Sequence, residues 1–174
     1  EVTGLIETRQ GEGNFISGSI ERSLLEPLTA MFHLNEGTPK DLLELRSVIE
    51  VRSSELAAKR ITDDQRKELL RIIDEMSSAT LESHKAELDK ELHYYITEIT
   101  GNIMMISVLS IISSMMEIFI QTNRQKILEN PNNADMLMQS HEDIVQAIIS
   151  RDSTKAGKTM KAHMRMVELI VYPD

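Results

Sequence analysis

The sequence predicts an all-α protein, an antiparallel bundle of six or seven helices preceded by a short β-hairpin. From Ser19 onward apolar residues recur at helical spacing almost without interruption. The interruptions, at 35–39, 62–64, 100–102, 130–133 and 151–153, are short and built from Gly, Pro, Asn, Asp, Ser and Thr. Short links between long amphipathic helices favour antiparallel neighbours. Only residues 1–18 differ in kind.

That first stretch reads as two short strands, Leu5 to Gln10 and Asn14 to Ser17, joined by the turn Gly11-Glu12-Gly13. An isolated hairpin is unstable in water, so residues 1–18 are expected to complete a domain whose remainder lies upstream. The chain has no initiator Met, and EVTGLIETRQ has neither the basic nor the apolar region of a signal peptide. Residues 19–174 then form the helical domain.

Its helices are expected at 19–34, 40–60, 63–79, 82–100, 102–129, 134–150 and 153–171. Thr38-Pro39, Thr62 before Asp63-Asp64, and Ser153 are the expected starts, because Ser, Thr and Asp oxygens accept the unpaired N–H groups of a first turn. The most apolar window, Ile103 to Ile120, is 18 residues long and contains four serines and Glu117. A membrane span needs about 20 mostly apolar residues. The window therefore reads as a helix buried on most sides in a bundle, with no membrane partner.

Composition narrows the chemistry. With no cysteine, disulfides, iron–sulfur clusters and thiolate zinc sites are excluded, which fits a reducing cytoplasm, and any metal must be held by His, Asp, Glu or water. The net charge of −9 opposes nucleic-acid binding by this chain alone, because neutralising phosphates needs clustered Lys and Arg.

Projecting the helices at 100° per residue locates the unusual side chains. In the helix around 82–100, Leu88, Leu92, Tyr95, Ile96 and Ile99 form the apolar stripe, and Asp89 and His93, four residues apart, line one margin. In the helix from Ala134, His141 falls in the middle of the stripe Ala134, Leu137, Ile144, Val145 and Ile148. In the last helix, His163 is central to Ala156, Met160, Val167 and Ile170. A single inward histidine is usually structural, with its ring hydrogen-bonded. Three with a carboxylate would cost several kcal/mol unless they satisfied one another, and one shared cation does that. Such an N3O set suits zinc first, and also nickel, manganese or iron.

Arg46 lies on the inward side of its helix with Leu42, Ile49, Ser53 and Ala57, and Glu50 follows at i+4. Two readings stand: an Arg46–Glu50 helix-surface pair, or an inward guanidinium that captures a carboxylate.

Taken together, GLIETRQGEGNFISG, DLLELRSVIEVRSSELAAKR, LDKELHYYITEITGN, SHEDIVQAIISRD and AGKTMKAHM resemble the FadR branch of the GntR family of bacterial transcription regulators. The similarity covers nearly the whole chain and is most specific in the ordered set Asp89, His93, His141 and His163. It implies an N-terminal winged helix-turn-helix that binds an operator as a dimer, followed by a helical effector-binding domain, called FCD. It implies that the same Asp and three His hold a divalent metal beside a pocket for a small organic acid. Arg46 and Asn102 match family positions that face that pocket. Residues 1–18 resemble only the wing hairpin, with Arg9, Gly11 and Gly13 at its DNA-facing turn; the recognition helix is missing.

The functional expectation is a cytoplasmic, homodimeric effector switch in which a metabolite carboxylate meets the metal and alters operator binding. Lactate, pyruvate, glycolate, sugar acids and dicarboxylates all fit a metal plus an arginine. A metalloenzyme is the rival reading, but it needs a general base near the metal, and apart from Glu50 no further inward His or carboxylate stands out. A dimerisation module with an empty polar pocket is the third.

Overall fold

The computed structural model describes the backbone of residues 6–9, 13–16, 20–128 and 131–172, and the side chains of 24–116 and 132–172. Seven helices carry the described chain from residue 20: α1 (Ile20–Leu34), α2 (Pro39–Arg60), α3 (Asp63–Ser78), α4 (Glu82–Ile99), α5 (Ile103–Leu128), α6 (Pro131–Ile149) and α7 (Ser153–Val171). Before them, β1 (Ile6–Arg9) and β2 (Gly13–Ile16) pair antiparallel, with Ile6 opposite Ile16 and Arg9 opposite Gly13. The expected turn at Gly11 lies outside the described residues, as do the side chains of β1 and β2.

Local chemistry sets most of these boundaries. At α2, Thr38 Oγ1 accepts from the Asp41 amide while Asp41 accepts from the Thr38 amide, and Thr62 with Gln65 repeats the reciprocal arrangement at α3. Two starts differ from expectation. α6 begins at Pro131 rather than 134, since proline's fixed φ suits a first helical position. At α7 the capping side chain is Asp152, which accepts from the Lys155 amide at 2.8 Å. Ser153 Oγ instead donates to the Glu55 carbonyl of α2 at 2.9 Å.

Helix ends are equally specific. After α1, the Gly37 amide donates to the Phe32 carbonyl (2.8 Å) and the Glu36 amide to His33 (3.2 Å). After α6, the Asp152 amide donates to Ala147 (3.1 Å) and the Arg151 amide to Ile148 (2.9 Å). Both are Schellman endings, with Glu36 (φ 54°) and Arg151 (φ 59°) in the left-handed region that glycine usually fills. Gly37 answers a different need. A Cβ there would lie 2.3 Å from Phe32 Cδ2, so the chain packs directly on the Phe32 ring.

α2 is the shared partner, packing against α4, α5, α6 and α7. Small buried residues permit close approach: Ala57 and Ala58 on α2, Ala156 and Gly157 on α7, where a Cβ at Gly157 would meet Glu55 Cγ at 2.8 Å. Leu69, Ile72, Leu88, Leu92, Ile96, Ile144, Ile148 and Met160 fill the core between α3, α4, α6 and α7. Polar ties fix the far end of α2. Arg60 donates to the Thr100 carbonyl, and Arg151 Nη2 donates to the Ile61 carbonyl at 2.7 Å.

Among its described side chains, α5 meets the expectation of burial on most sides only after its first turn. Leu109, Ile111, Ile112 and Met116 are buried, but Ile103 and Met104 are exposed. The first turn of α5 thus carries apolar side chains that the rest of the bundle leaves uncovered. Among the described residues, no helix is long and apolar enough to cross a membrane.

A candidate metal centre

Three helices bring His93 (α4), His141 (α6) and His163 (α7) together. All three are buried, and one ring nitrogen from each lies within 4.8 Å of the others. Asp89, one turn before His93, stands half-buried beside them. Its Oδ1 lies 2.9 Å from His141 Nε2 and 3.9 Å from His93 Nε2. The structure therefore gathers all four residues singled out by helical projection, and it buries His93 more deeply than a margin position suggests.

The surroundings set which ring nitrogens are available. Glu50, 1% exposed, reaches from α2 to His93 Nδ1 and also accepts from Arg46 Nε. Burial alone would push the Glu50 carboxyl up, but the Arg46 guanidinium and the His93 ring overcome that and bring it down to about 2. The ionised carboxylate only accepts, so His93 Nδ1 carries a proton, and in the neutral ring Nε2 is the nitrogen with the lone pair.

Ser140 imposes the same choice on His163. Its hydroxyl donates to the Leu137 carbonyl at 2.6 Å, which leaves Ser140 Oγ to accept from His163 Nδ1 at 2.9 Å. His163 Nε2 is then the nitrogen with a lone pair. Burial, then the neighbouring His141 and His93, hold His163 well below the usual imidazole range, so this ring is neutral at pH 7. Asp89 moves the other way from its burial. His141, His93 and Arg46 keep its carboxyl well below the usual carboxylate range.

His141 is the unsatisfied member. Its Nε2 meets Asp89 Oδ1 at 2.9 Å, while its buried Nδ1 has no hydrogen-bond partner among the described residues. Leaving a buried polar group unpaired costs about 1–3 kcal/mol. A cation among these groups would meet an ionised carboxylate and up to three imidazole nitrogens, a borderline N3O donor set with outer partners already orienting two of the rings. The residues fit a divalent metal.

Arg46 combines both readings of its sequence position. It is paired with Glu50, as in the surface reading, yet the two side chains are only 12% and 1% exposed, as in the inward one. Its charge acts on Asp89 as well, which places the guanidinium beside the cluster. Asn102 has a different occupation. Its Oδ1 accepts from the Met104 and Met105 amides at 3.1 and 3.3 Å, so this exposed side chain caps α5. Glu50 is the residue whose importance the sequence understated. His84, by contrast, stays away from the cluster and pairs with Glu75 at 3.2 Å.

The FCD domain model matches residues 41–166, well over half of the chain. The chain is 25% identical over 167 residues to the HTH-type transcriptional regulator LutR of Bacillus subtilis, covering 95% of this chain and 76% of that protein. It is 25% identical over 168 residues to the putative L-lactate dehydrogenase operon regulatory protein of Escherichia coli, covering 94% of this chain and 65% of that one. The Glc operon transcriptional activator of Escherichia coli is 24% identical over 172 residues, with 95% and 67% covered. Among solved structures, Streptococcus agalactiae GntR superposes with a TM-score of 0.67 at 28% identity, over 95% of this chain and 75% of that one. These curated relatives are transcription regulators, not enzymes. The fold, the buried histidine cluster and the family match lead to one assignment: the chain belongs to the FCD-domain, FadR-like regulators of the GntR family.

Proposed function

We propose that this chain is the metal-dependent effector-binding domain of a dimeric regulator that senses a small organic acid. The observation that carries the reading is the convergence of one ring nitrogen from each of His93, His141 and His163 within 4.8 Å, with the Asp89 carboxylate 2.9 Å from His141 Nε2. Asp89, His93, His141 and His163 would hold one divalent cation, zinc first by donor chemistry, with nickel, manganese or iron fitting the same set. When bound, that ion supplies a Lewis-acid centre for a carboxylate oxygen.

The chain's own residues then orient and respond. Glu50 fixes the His93 ring, Ser140 fixes the His163 ring, and Arg46, held by Glu50, adds positive charge next to the acid. That one relative is named for an L-lactate dehydrogenase operon supports a ligand of similar size. Asn102 caps α5 through Oδ1, and its side-chain NH2 is the proposed further contact to the ligand. Residues 1–18, with their short β-ladder, are read as the wing of a winged DNA-binding domain, where Arg9, Gly11 and Gly13 meet operator DNA. Exposed Ile103 and Met104 on α5 and Val48 on α2 support a homodimer, in which a second copy covers apolar surface. The regulator works in the cytoplasm, where its operator is.

Acid binding shifts α4, α6 and α7 against α2, and α5, which packs on all four and on α1, passes the shift to α1 towards the DNA-binding heads. Coupling of this kind is typically about 1–3 kcal/mol. The test has two steps. Metal analysis of the purified chain is expected to give one zinc per chain, lost on His163→Ala. Operator occupancy of the full-length protein is then expected to change on adding a small acid only when metal is present. A chain that binds no divalent metal, or an operator occupancy indifferent to every acid, ends the proposal.

A further inference from the structure

A cavity of about 260 Å³ opens between α3, α4 and α6. Asp89 and His141 line it, so it leads directly to the cluster. His141 is 1% exposed, and its unpartnered Nδ1 marks this end as built for a ligand rather than as a surface dent. The walls are mixed. Met76, Leu137 and Met138 give an apolar side. Glu82, Lys85 and Asp135 give the charged one.

The charges do not balance in favour of an anion. Lys85 Nζ, the lining cation, is engaged by Glu82 Oε1 at 3.0 Å, and that pair is neutral. Asp135, on the exposed first part of α6, has no pairing partner among the described residues. The volume lies just below the range usual for small-molecule sites, which suits an acid of only a few carbons.

Resting on the reading that a carboxylate binds at the cluster, we propose that this cavity seats the rest of the effector and selects monocarboxylates with an uncharged tail against dicarboxylates. The first carboxylate would meet the metal that Asp89, His93, His141 and His163 would hold at the inner end of the cavity. The tail then lies along Met76, Leu137 and Met138, facing Asp135. A second carboxylate would leave water to face that aspartate with no free cation in the described lining, and like-charge juxtaposition is a strong device for rejecting a wrong partner.

Lactate and malate make the test, because malate is lactate with a carboxylate added at the methyl end. Calorimetric titration of the zinc-loaded chain is expected to give lactate an affinity about tenfold or more above that of malate. Asp135→Lys is expected to shrink that ratio to about threefold or less, and Asp135→Asn to an intermediate value. If malate binds as tightly as lactate, or the ratio ignores Asp135→Lys, the selectivity inference is overturned while the carboxylate reading stands. If the zinc-loaded chain binds neither acid, both fall together.

Discussion

Glu50 on α2 holds the Nδ1–H of His93 on α4, in a bond buried from solvent at both ends. It is the polar link between α2 and the metal-facing side chains. Second partners of this type commonly govern a tenfold to hundredfold range of metal affinity. Glu50→Gln is therefore expected to weaken zinc binding by about 10–100-fold, because a neutral amide no longer fixes the His93 tautomer and leaves Arg46 without its counter-charge. Competition against a chelator of known affinity measures this. An unchanged zinc affinity would deny Glu50 that role.

His141 gives an inverted stability test. In the metal-free chain its unpaired Nδ1 is a burden of about 1–3 kcal/mol, while its Nε2 supports the Asp89 carboxylate. His141→Met, of similar bulk, removes both and is thus expected to move the metal-free Tm by no more than a few degrees. Zinc is expected to raise the Tm of the natural chain, since a ligand bound only to the folded state stabilises it, and to raise that of the variant much less. Thermal unfolding with and without zinc gives all four values. A metal-free variant many degrees less stable would show that His141 is already satisfied by packing.

Protons compete with the metal. His163 is held neutral by burial and by its neighbours, so it is ready to ligate at neutral pH. Coordination needs that ring to offer a lone pair, and an ordinary imidazole takes up a proton near pH 6.5. His163 is expected to stay neutral below that pH in the metal-free chain, and its contribution to zinc binding to be lost only in more acid solution. NMR titration of its ring protons measures this. A midpoint at or above the ordinary value would show that burial does not hold the ring neutral.

Gly37→Ala examines the α1–α2 corner. The added Cβ would overlap the Phe32 ring, and overpacking of this kind costs about 1–3 kcal/mol. Urea unfolding of the variant is expected to show a loss in that range. Full stability would mean that the Phe32 ring swings aside freely.

The helices were legible because their ends are written in short-range chemistry. Thr38 and Thr62 sit where capping residues belong, and the predicted ends of α2, α3, α4 and α7 agree with the structure to within a residue. The three histidines were legible because an imidazole inside an apolar stripe must point inward. Glu50 was not. At i+4 from Arg46 it looks like an ordinary helix-surface pair, and only the packing of α2 on α4 delivers it to His93. Asp152 was overlooked for a related reason: Ser153 is as good a capping residue by type, and its hydroxyl is diverted by Glu55 on a distant helix. Gly37 also misleads, since the left-handed residue is Glu36 and the glycine is there for space.

That corner has a mechanical meaning. With Gly37 seated on Phe32, and Thr38 and Asp41 clasping the first turn of α2, the turn between α1 and α2 is tightly closed, while the length of α1 packs on α5 rather than on α2. A displacement of α5 is therefore what α1 would follow, with the closed turn as its fixed end.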